Sequence, residues 1–286
     1  MTRHPLAETA RRGLLRASDA TLRLSAPLRM QPDFLIVGGQ RCGTTSLFKT
    51  LAQHSGVARP FLRKGVHYFD TSYDEGPAWY RGHFPVAATS RLRRGGRRAL
   101  TGESSPYYMF HPLAAERIAR DLPGAKLLAL VRDPVERAYS AHAHESARGF
   151  ETETFERALE LEPERLAGAR ELVRADPTTT HFSLQHHAYV ERGHYAEHLR
   201  RVEALVGRER LHVVDSQDFF DEPVPVFREV LDFLGLPEQP GIRFEQHNAR
   251  RRSPMAGDLR KSLEEHFAPH DEALARWWGR TPSWRR

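Results

Sequence analysis

The stretch that most constrains the fold runs from Asp33 to Leu51, with the sequence DFLIVGGQRCGTTSLFKTL. Residues 34–37 form a short apolar run with β-branched side chains, which predicts a buried strand. A glycine-rich turn follows at residues 38–43, and Thr44 can open a helix. In this order, the three elements make an anion site, because backbone N–H groups point into the loop and the helix dipole adds positive charge. The sequence therefore predicts a phosphate cradle.

The cradle departs at one position from the nucleotide-binding P-loop pattern, G-x-x-x-x-G-K-[ST]. The spacing from Gly38 to Thr45 fits, but Thr44 stands where the lysine belongs. In enzymes that use ATP or GTP, that lysine neutralises charge on the β- and γ-phosphates. The nearby cation here is Arg41, inside the loop. The missing lysine counts against a nucleoside-triphosphate ligand.

Composition indicates a soluble globular protein. The chain has 286 residues, of which 40% are hydrophobic and 28% charged, as in ordinary globular domains. No apolar run approaches the roughly 20 residues that span a bilayer, so we expect no integral membrane segment, although peripheral membrane contact stays open. The single cysteine, Cys42, excludes an internal disulfide and cysteine zinc sites and fits a reducing compartment. We expect a cytoplasmic location.

The charge balance favours anionic ligands. The net charge is +6 and the pI is about 9.7, but a positive balance does not by itself indicate nucleic acid, and none is predicted as a partner. Only four of the 43 basic residues are lysine. This enrichment in arginine indicates a compositional bias of the genome, and it weakens arguments from any single arginine.

Further strand-like runs predict the fold class. Residues 126–131 and 211–214 are apolar runs, residues 99–103 are a weaker candidate, and helical patterns lie between them. Strands that alternate with helices predict a parallel sheet. We expect an α/β, P-loop-like three-layer fold with a central, mainly parallel sheet flanked by helices. Residues 33–286 are predicted to form one domain, with residues 1–32 as a loosely attached N-terminal extension.

Three stretches in this order resemble the sulfotransferases that use 3′-phosphoadenosine 5′-phosphosulfate (PAPS), and the likeness is closest to the carbohydrate, heparan-sulfate-type branch and its bacterial relatives. They are VGGQRCGTTSL, like the 5′-phosphosulfate loop; LALVRDPVERAYSAHAH, like the 3′-phosphate segment; and RGHYAEHLRRVEALVGRERLHVVDSQDF, a helix–strand passage. Weaker echoes are KGVHYFD, GESSPYY and HNARRRSP. Together they spread over residues 34–256.

The resemblance implies PAPS as co-substrate, no metal, and a hydroxyl or amine of a carbohydrate or small molecule as sulfate acceptor. The loop residues expected to hold the 5′ end of the donor are Gly39, Gln40, Arg41, Cys42, Gly43, Thr44, Thr45 and Ser46. The residues expected at the 3′-phosphate are Arg132 and Ser140, helped by Arg250, Arg251 and Arg252.

The position of Arg132 agrees with a ligand role. It follows a predicted strand, at the edge where open sheets bind ligands. Ser140 lies about two helical turns farther on, within reach of the same anion. The alternative for Arg132 is a surface ion pair with Asp133 or Glu136.

Two departures from the family pattern concern the chemistry. Arg41 stands where the family commonly has lysine; it can stabilise charge but is a poor proton donor. Gly65 stands where carbohydrate sulfotransferases often have a glutamate base. Residues 64–70 are predicted to form a strand or a turn, and in a strand His67 shares the face of Gly65. We therefore expect His67 to be the base, with Glu103 as its rival. Lys64 is expected to stabilise charge. The alternatives are a packed structural histidine and a solvated lysine.

Two other classes of function stay open. A P-loop kinase would need a magnesium site, for which Asp133 is the best feature. A non-catalytic anion-binding module would rest on the basic runs at 91–98 and 250–252. The residues identify neither the acceptor nor the oligomeric state.

Overall fold

A five-stranded, all-parallel sheet forms the centre of the protein in a computed structural model, which describes residues 20–60, 63–92, 96, 98–247 and 254–286. The strand order is β2-β3-β1-β4-β5. The strands are β1 (Phe34–Gly38), β2 (Val57–Ala58), β3 (Leu100–Ser104), β4 (Lys126–Val131) and β5 (Leu211–Asp215). The predicted fold class is confirmed.

Helices flank this sheet. They are α1 (Thr44–Leu51), α2 (Tyr68–Thr71), α3 (Gly76–Gly82), α4 (Ala87–Leu92), α5 (Ala114–Asp121), α6 (Pro134–Ala147), α7 (Phe155–Leu166), α8 (Ala169–Ala175), α9 (Phe182–His186), α10 (Tyr195–Val206), α11 (Ser216–Asp221), α12 (Pro223–Leu234) and α13 (Gly257–Trp278). Within the described ranges, no helix combines the length and apolarity that crossing a bilayer requires.

The central strands are apolar throughout because both faces of the sheet are covered. All five residues of β1 are buried, as are residues 127–131 of β4. Such continuous runs are typical of parallel sheets. Gly102 of β3 is required by close packing, since a Cβ there would lie 2.3 Å from the backbone oxygen of Phe34 on β1.

The topology fixes where a ligand can bind. From β1 the chain moves to one side and forms β2 and β3, then returns to place β4 and β5 on the other side. The strand order therefore reverses between β1 and β4. In open α/β sheets, the crevice at the carboxyl ends of the strands beside such a switch point is the usual ligand site.

The described part of the predicted N-terminal extension packs onto the domain. Leu22 and Ala26 are buried. A guanidinium N–H of Arg29 donates to the backbone oxygen of Phe84 at 2.7 Å, and Met30 N donates to Pro85 O at 2.8 Å. From Leu22 onward the segment is thus held against the chain that follows α3. Residues 1–19 lie outside the described residues.

One local prediction is wrong. Residues 64–67 are irregular and lead into α2, and His67 has a left-handed backbone with φ of 58°. His67 therefore does not share a strand face with Gly65. The reason is tertiary: Val66 N donates to the Glu103 carboxylate and His67 N to the Ser105 hydroxyl, both at 3.0 Å, so side chains replace a neighbouring strand.

Candidate active site

A cleft of about 550 Å³ opens at the carboxyl ends of β3, β1, β4 and β5. Its lining changes along the sheet edge. The β3 side supplies Lys64, Gly65, His67, Ser104, Pro106 and Tyr107; the middle supplies Gln40, Arg41, Gly43, Thr44 and Thr45; the β4 and β5 side supplies Arg132, Ser140, Ser216, Gln217 and Phe220; the remaining lining residues are His144, Arg148, Gln185, His186, Arg192, Gln246 and His247.

The loop between β1 and α1 presents a helix N-terminus to this cleft. Gly43 precedes α1 with φ of 85°, a conformation that glycine adopts without strain. The first-turn N–H groups of α1 have no acceptor within the helix. Because Gly43, Thr44 and Thr45 line the cleft, these donors lie where an anion can meet them.

Three of the predicted loop residues, Gly39, Cys42 and Ser46, contact the protein on the side of the loop that faces away from the cleft. Gly39 N donates to Leu130 O on β4 at 2.6 Å, and Ser46 Oγ accepts from His247 N at 2.9 Å. Cys42 is fully buried with its Sγ 3.6 Å from the hydroxyl of Tyr195, and burial raises the pKa of this thiol. None of the three lines the cleft, so their contacts position the loop.

The predicted 3′-phosphate residues meet the loop at the switch point. Arg41 Nε donates to Ser140 Oγ at 3.1 Å, and Arg132 donates to the backbone oxygen of Arg41 at 3.3 Å. Arg132 also lies 3.7 Å from the carboxylate of Glu136, so the ion pair considered as an alternative exists beside the cleft-lining position. Asp133 instead caps α6, accepting from Val135 N at 2.8 Å.

The third predicted group at the 3′-phosphate cannot be placed. Arg250, Arg251 and Arg252 lie outside the described residues. The nearest described residues before them are Gln246 and His247, which line the cleft.

Lys64 and His67 lie together on the β3 side. Lys64 Nζ donates to Thr45 Oγ1 at 2.8 Å, which places its ammonium group at the first turn of α1. Burial lowers the pKa of Lys64 to about 8, although the charge of Glu103 partly offsets this. Lys64 therefore keeps its charge at neutral pH.

His67 is held by a buried carboxylate. Its Nδ1 lies 2.8 Å from Asp70 Oδ2, and the Asp70 side chain is fully buried. Burial alone would lower the pKa of His67, but the hydrogen bond and charge of Asp70 outweigh it and raise the pKa above its usual value. With Nδ1 bound to Asp70, Nε2 is the nitrogen left to act in the cleft.

Glu103 lies beneath the cleft and is not part of its lining. Its carboxylate accepts from Val66 N at 3.0 Å, Ser105 Oγ at 2.6 Å and the Tyr108 hydroxyl at 2.6 Å. Burial raises the pKa of Glu103, and these three donors partly offset the rise. The arrangement fixes the loop that carries Lys64 and His67.

The missing family glutamate has a steric reason. A Cβ built on Gly65 would lie 2.5 Å from the backbone oxygen of Ser104 and 3.1 Å from Ser105 Oγ. Ser104 N in turn donates to Lys64 O at 2.8 Å, so the two segments are tied together at this point. A glutamate at position 65 does not fit this loop.

Several polar residues in the cleft wall and directly behind it were not predicted as part of the site. Arg192 is buried and donates to Gln40 Oε1 and, at 2.8 Å, to Leu184 O. Glu145 is buried and lies 3.0 Å from His186 Nδ1 and 3.2 Å from a guanidinium nitrogen of Arg148. In the sequence, Arg192 could have been noticed because it begins the motif RGHYAEH. No sequence pattern marked Glu145, His186 or Arg148.

The electrostatics of the cleft are one-sided. Five of its described lining residues are cations, and none is an aspartate or a glutamate. The cations are Arg41, Lys64, Arg132, Arg148 and Arg192. In addition, Ser104 Oγ is buried in the cleft wall without a partner among the described residues. This lining suits a ligand that carries several negative charges.

Comparisons with known proteins agree with this geometry. The sequence model of the sulfotransferase domain matches residues 31–257. A crystal structure of a sulfotransferase from Alicyclobacillus acidocaldarius is 31% identical, with a TM-score of 0.63 over 90% of this chain and all of the other.

Two curated relatives are more distant. Heparan sulfate glucosamine 3-O-sulfotransferase 5 of Homo sapiens is 29% identical over 83% of this chain, and the membrane-associated sulfotransferase kil1 of Dictyostelium discoideum is 24% identical over 88%. The chain covers 64% and 66% of their respective lengths. Because the family match spans most of the chain and includes the cleft loop and the Arg132 segment, the chain belongs to the sulfotransferase domain family.

Proposed function

We propose that this protein transfers a sulfuryl group from PAPS to a hydroxyl or amine of a carbohydrate or small-molecule acceptor, in line and without a metal ion. One observation carries the proposal. The anion-binding loop has Arg132 and Ser140 on one side of the cleft. Lys64 and the carboxylate-bound His67 lie on the other side. This arrangement along the cleft suits a donor that carries phosphate at both ends of its nucleoside. The acceptor would then bind next to the sulfate, beside Lys64 and His67.

The donor would lie along the sheet edge. Its 5′-phosphosulfate would accept hydrogen bonds from the first turn of α1, and its 3′-phosphate would meet Arg132 and Ser140. Phe220 lines the cleft close to Gly43, with a ring atom 3.1 Å from a Cβ built there. A flat aromatic side chain at that point can stack on a nucleobase.

Sulfuryl transfer would then proceed by attack of the acceptor oxygen or nitrogen on sulfur. The new bond to sulfur forms as the bond between sulfur and the bridging oxygen of the donor breaks, and the 5′-phosphate leaves with the added negative charge. Lys64 and the N–H groups of α1 would stabilise this charge, which is the role of preorganised donors in group transfer.

The proton of the acceptor would pass to Nε2 of His67. Asp70 holds Nδ1 and so fixes the tautomer and orientation of the ring. Glu103 would act as a positioning residue, since it holds the loop and does not line the cleft. Arg41 points toward Ser140, which favours a role in binding the donor rather than in stabilising the transfer.

Two observations bear on the acceptor and on the competing functions. A relative named for transfer to heparan sulfate glucosamine supports a carbohydrate acceptor. A P-loop kinase is disfavoured because carboxylates and phosphates are the ligands that Mg²⁺ prefers, and no described lining residue supplies a carboxylate. A non-catalytic anion-binding function does not account for the hydrogen-bonded pair of His67 and Asp70.

The test compares ligands and then activity. Adenosine 3′,5′-bisphosphate should raise the melting temperature at concentrations where ATP with Mg²⁺ does not. Sulfate-labelled PAPS should then pass label to a member of a panel of sugars, amino sugars and alcohols. Stabilisation by ATP with Mg²⁺ alone would favour the kinase, and tight bisphosphate binding with no transfer to any acceptor would favour the binding module.

A further inference from the structure

Three histidines meet on the surface between the start of α10 and the middle of α13. His194 directly precedes α10, and His266 and His270 lie one turn apart on α13. One ligand atom from each lies within 4.8 Å of the other two. His266 is exposed and the other two are half-buried, so solutes can reach the cluster. None of the three lines the cleft.

Their spacing fits a metal ion. Nε2 of His194 and Nε2 of His266 are 3.2 Å apart. Zn²⁺ binds imidazole nitrogens at roughly 2.0–2.1 Å, so two ligands of a tetrahedral site lie about 3.3 Å apart. The ring of His270 stacks on that of His194 with centroids 3.8 Å apart, and a change of its side-chain rotamer would complete a three-nitrogen face.

A carboxylate stands behind the cluster. His270 Nδ1 lies 3.7 Å from Glu197 Oε1, one turn into α10. Histidine ligands usually donate their second N–H to such a carboxylate, which orients the ring and strengthens the metal bond. Glu197 is thus placed to direct Nε2 of His270 toward the other two rings.

The backbones that carry the histidines are held in place by the fold. Phe267, between the two histidines of α13, is fully buried. A Cβ on Gly193 would lie 2.6 Å from the Phe267 ring, so the segment before α10 approaches α13 as closely as a glycine permits. The fold therefore holds the backbones of the three histidines close together.

The chemistry of the three side chains fits the same kind of ion. Imidazole nitrogen is a preferred ligand of zinc, copper and nickel, and the cluster offers one such nitrogen from each ring.

We propose that His194, His266 and His270 bind one Zn²⁺ ion, with Glu197 orienting His270. The site would be structural. Phe267 and Leu263 of α13 pack against Val135 and Ala138 of α6, the helix that carries Ser140. An ion that ties α13 to α10 therefore stabilises the wall behind the proposed 3′-phosphate site, away from the reacting atoms.

The experiment uses the full chain without an affinity tag, freed of metal with a chelator and then dialysed. Titration with ZnCl₂ is followed by calorimetry and by the melting temperature, and titration with CoCl₂ by visible absorption, which reports tetrahedral coordination. We expect one saturable equivalent of Zn²⁺ and a higher melting temperature in its presence. His266→Ala and His270→Ala should abolish both effects, and Glu197→Gln should weaken Zn²⁺ binding roughly tenfold or more.

His142→Ala is the control, because His142 lies outside the cluster with its Nε2 bonded to Glu153 O at 2.9 Å; it should bind Zn²⁺ like wild type. Affinity for adenosine 3′,5′-bisphosphate reports correct folding of each variant and should not change in His266→Ala, whose side chain is exposed. The proposal fails if wild type shows no saturable binding, or if His266→Ala and His270→Ala retain it.

Discussion

At the scale of single residues, Arg132 is the group expected to recognise the 3′-phosphate. It lines the cleft at the end of β4, beside the loop oxygen of Arg41. Arg132→Ala should weaken the binding of adenosine 3′,5′-bisphosphate by about 2–3 kcal/mol, the usual loss when a charge-assisted hydrogen bond is removed. That loss is roughly 30- to 150-fold in Kd. Calorimetry with adenosine 5′-monophosphate, which lacks the 3′ group, should show a much smaller change.

The control for this prediction is Arg157→Ala. Arg157 is an exposed arginine paired with Glu160 at 2.7 Å and is not part of the cleft. It should leave both affinities unchanged. If Arg132→Ala weakens the binding of the bisphosphate and of the monophosphate equally, Arg132 does not recognise the 3′-phosphate.

His67 is the residue expected to take the acceptor proton. His67→Ala should lower turnover by roughly 100-fold or more, the range of a general base, while the affinity for adenosine 3′,5′-bisphosphate stays near wild type. The measurement is kcat with saturating PAPS alongside nucleotide titration. Nearly full turnover in His67→Ala would show that another group accepts the proton.

The pH dependence of kcat/KM tests the role of His67, and a substitution of its partner Asp70 makes the test specific. A protonated His67 cannot act as a base, so kcat/KM should fall as pH drops through its pKa, which Asp70 raises. Asp70→Asn removes that raising influence, so the acidic limb of the profile should move to lower pH. A limb that stays in place in Asp70→Asn would assign it to a different group.

Gly65 is the residue that excludes the family glutamate. Gly65→Glu should lower both stability and turnover, because its Cβ would meet Ser104 O at 2.5 Å. Overpacked sites typically lose about 1–3 kcal/mol. Gly124→Ala is a matched control, since a Cβ there has no neighbour within 4 Å. Urea unfolding gives the comparison, and a fully stable, more active Gly65→Glu would contradict the steric account.

At the scale of elements, the loop before α2 depends on β3 for its shape. Glu103 and Ser105 accept the N–H groups of Val66 and His67, and the Tyr108 hydroxyl accepts from Tyr68 N at 2.9 Å. The loop thus has a fixed path without being a strand. These contacts position the segment that carries Lys64 and His67, the two side chains proposed to take part in transfer.

Glu103→Gln tests this dependence. A neutral amide weakens the hydrogen bonds that the buried carboxylate accepts, so the free energy of unfolding should fall by about 1–3 kcal/mol. Turnover should fall less than in His67→Ala, with the acidic limb of the pH profile still present. Tyr80→Phe, which removes only a 3.4 Å contact to the same carboxylate, should cost less stability. Loss of the acidic limb in Glu103→Gln at unchanged stability would make Glu103 the base.

At the scale of the whole molecule, the proposed catalytic cleft and the proposed metal site are separated in space. The cleft lining holds cations, and the three-histidine cluster lies outside that lining. Treatment with a chelator should therefore leave the initial rate of sulfuryl transfer unchanged and lower the melting temperature. Activity that disappears with the chelator and returns with Mg²⁺, but not with Zn²⁺, would contradict metal-independent transfer.

The sequence by itself determined the sheet and the anion loop. Apolar runs such as residues 34–37 and 126–131 predict strands because both faces of a parallel sheet are buried. Glycine before a helix opening predicts an anion site because the backbone supplies the donors. These signals are local, so they could be read without knowing what lies nearby, and the motif order then indicated the family.

Only the tertiary structure decided how the active side chains are arranged. His67 itself has a left-handed backbone. Glu103 and Ser105, about 37 residues later, accept the N–H groups of Val66 and His67 and hold this conformation. Glu103, the rival candidate for the base, is buried beneath the cleft, which no local pattern in the sequence indicates. Arg192 contacts Gln40, which is far away in the sequence. The three clustered histidines also come from two distant segments of the chain. Such contacts leave no periodic pattern in the sequence, because burial and pairing depend on which elements pack together.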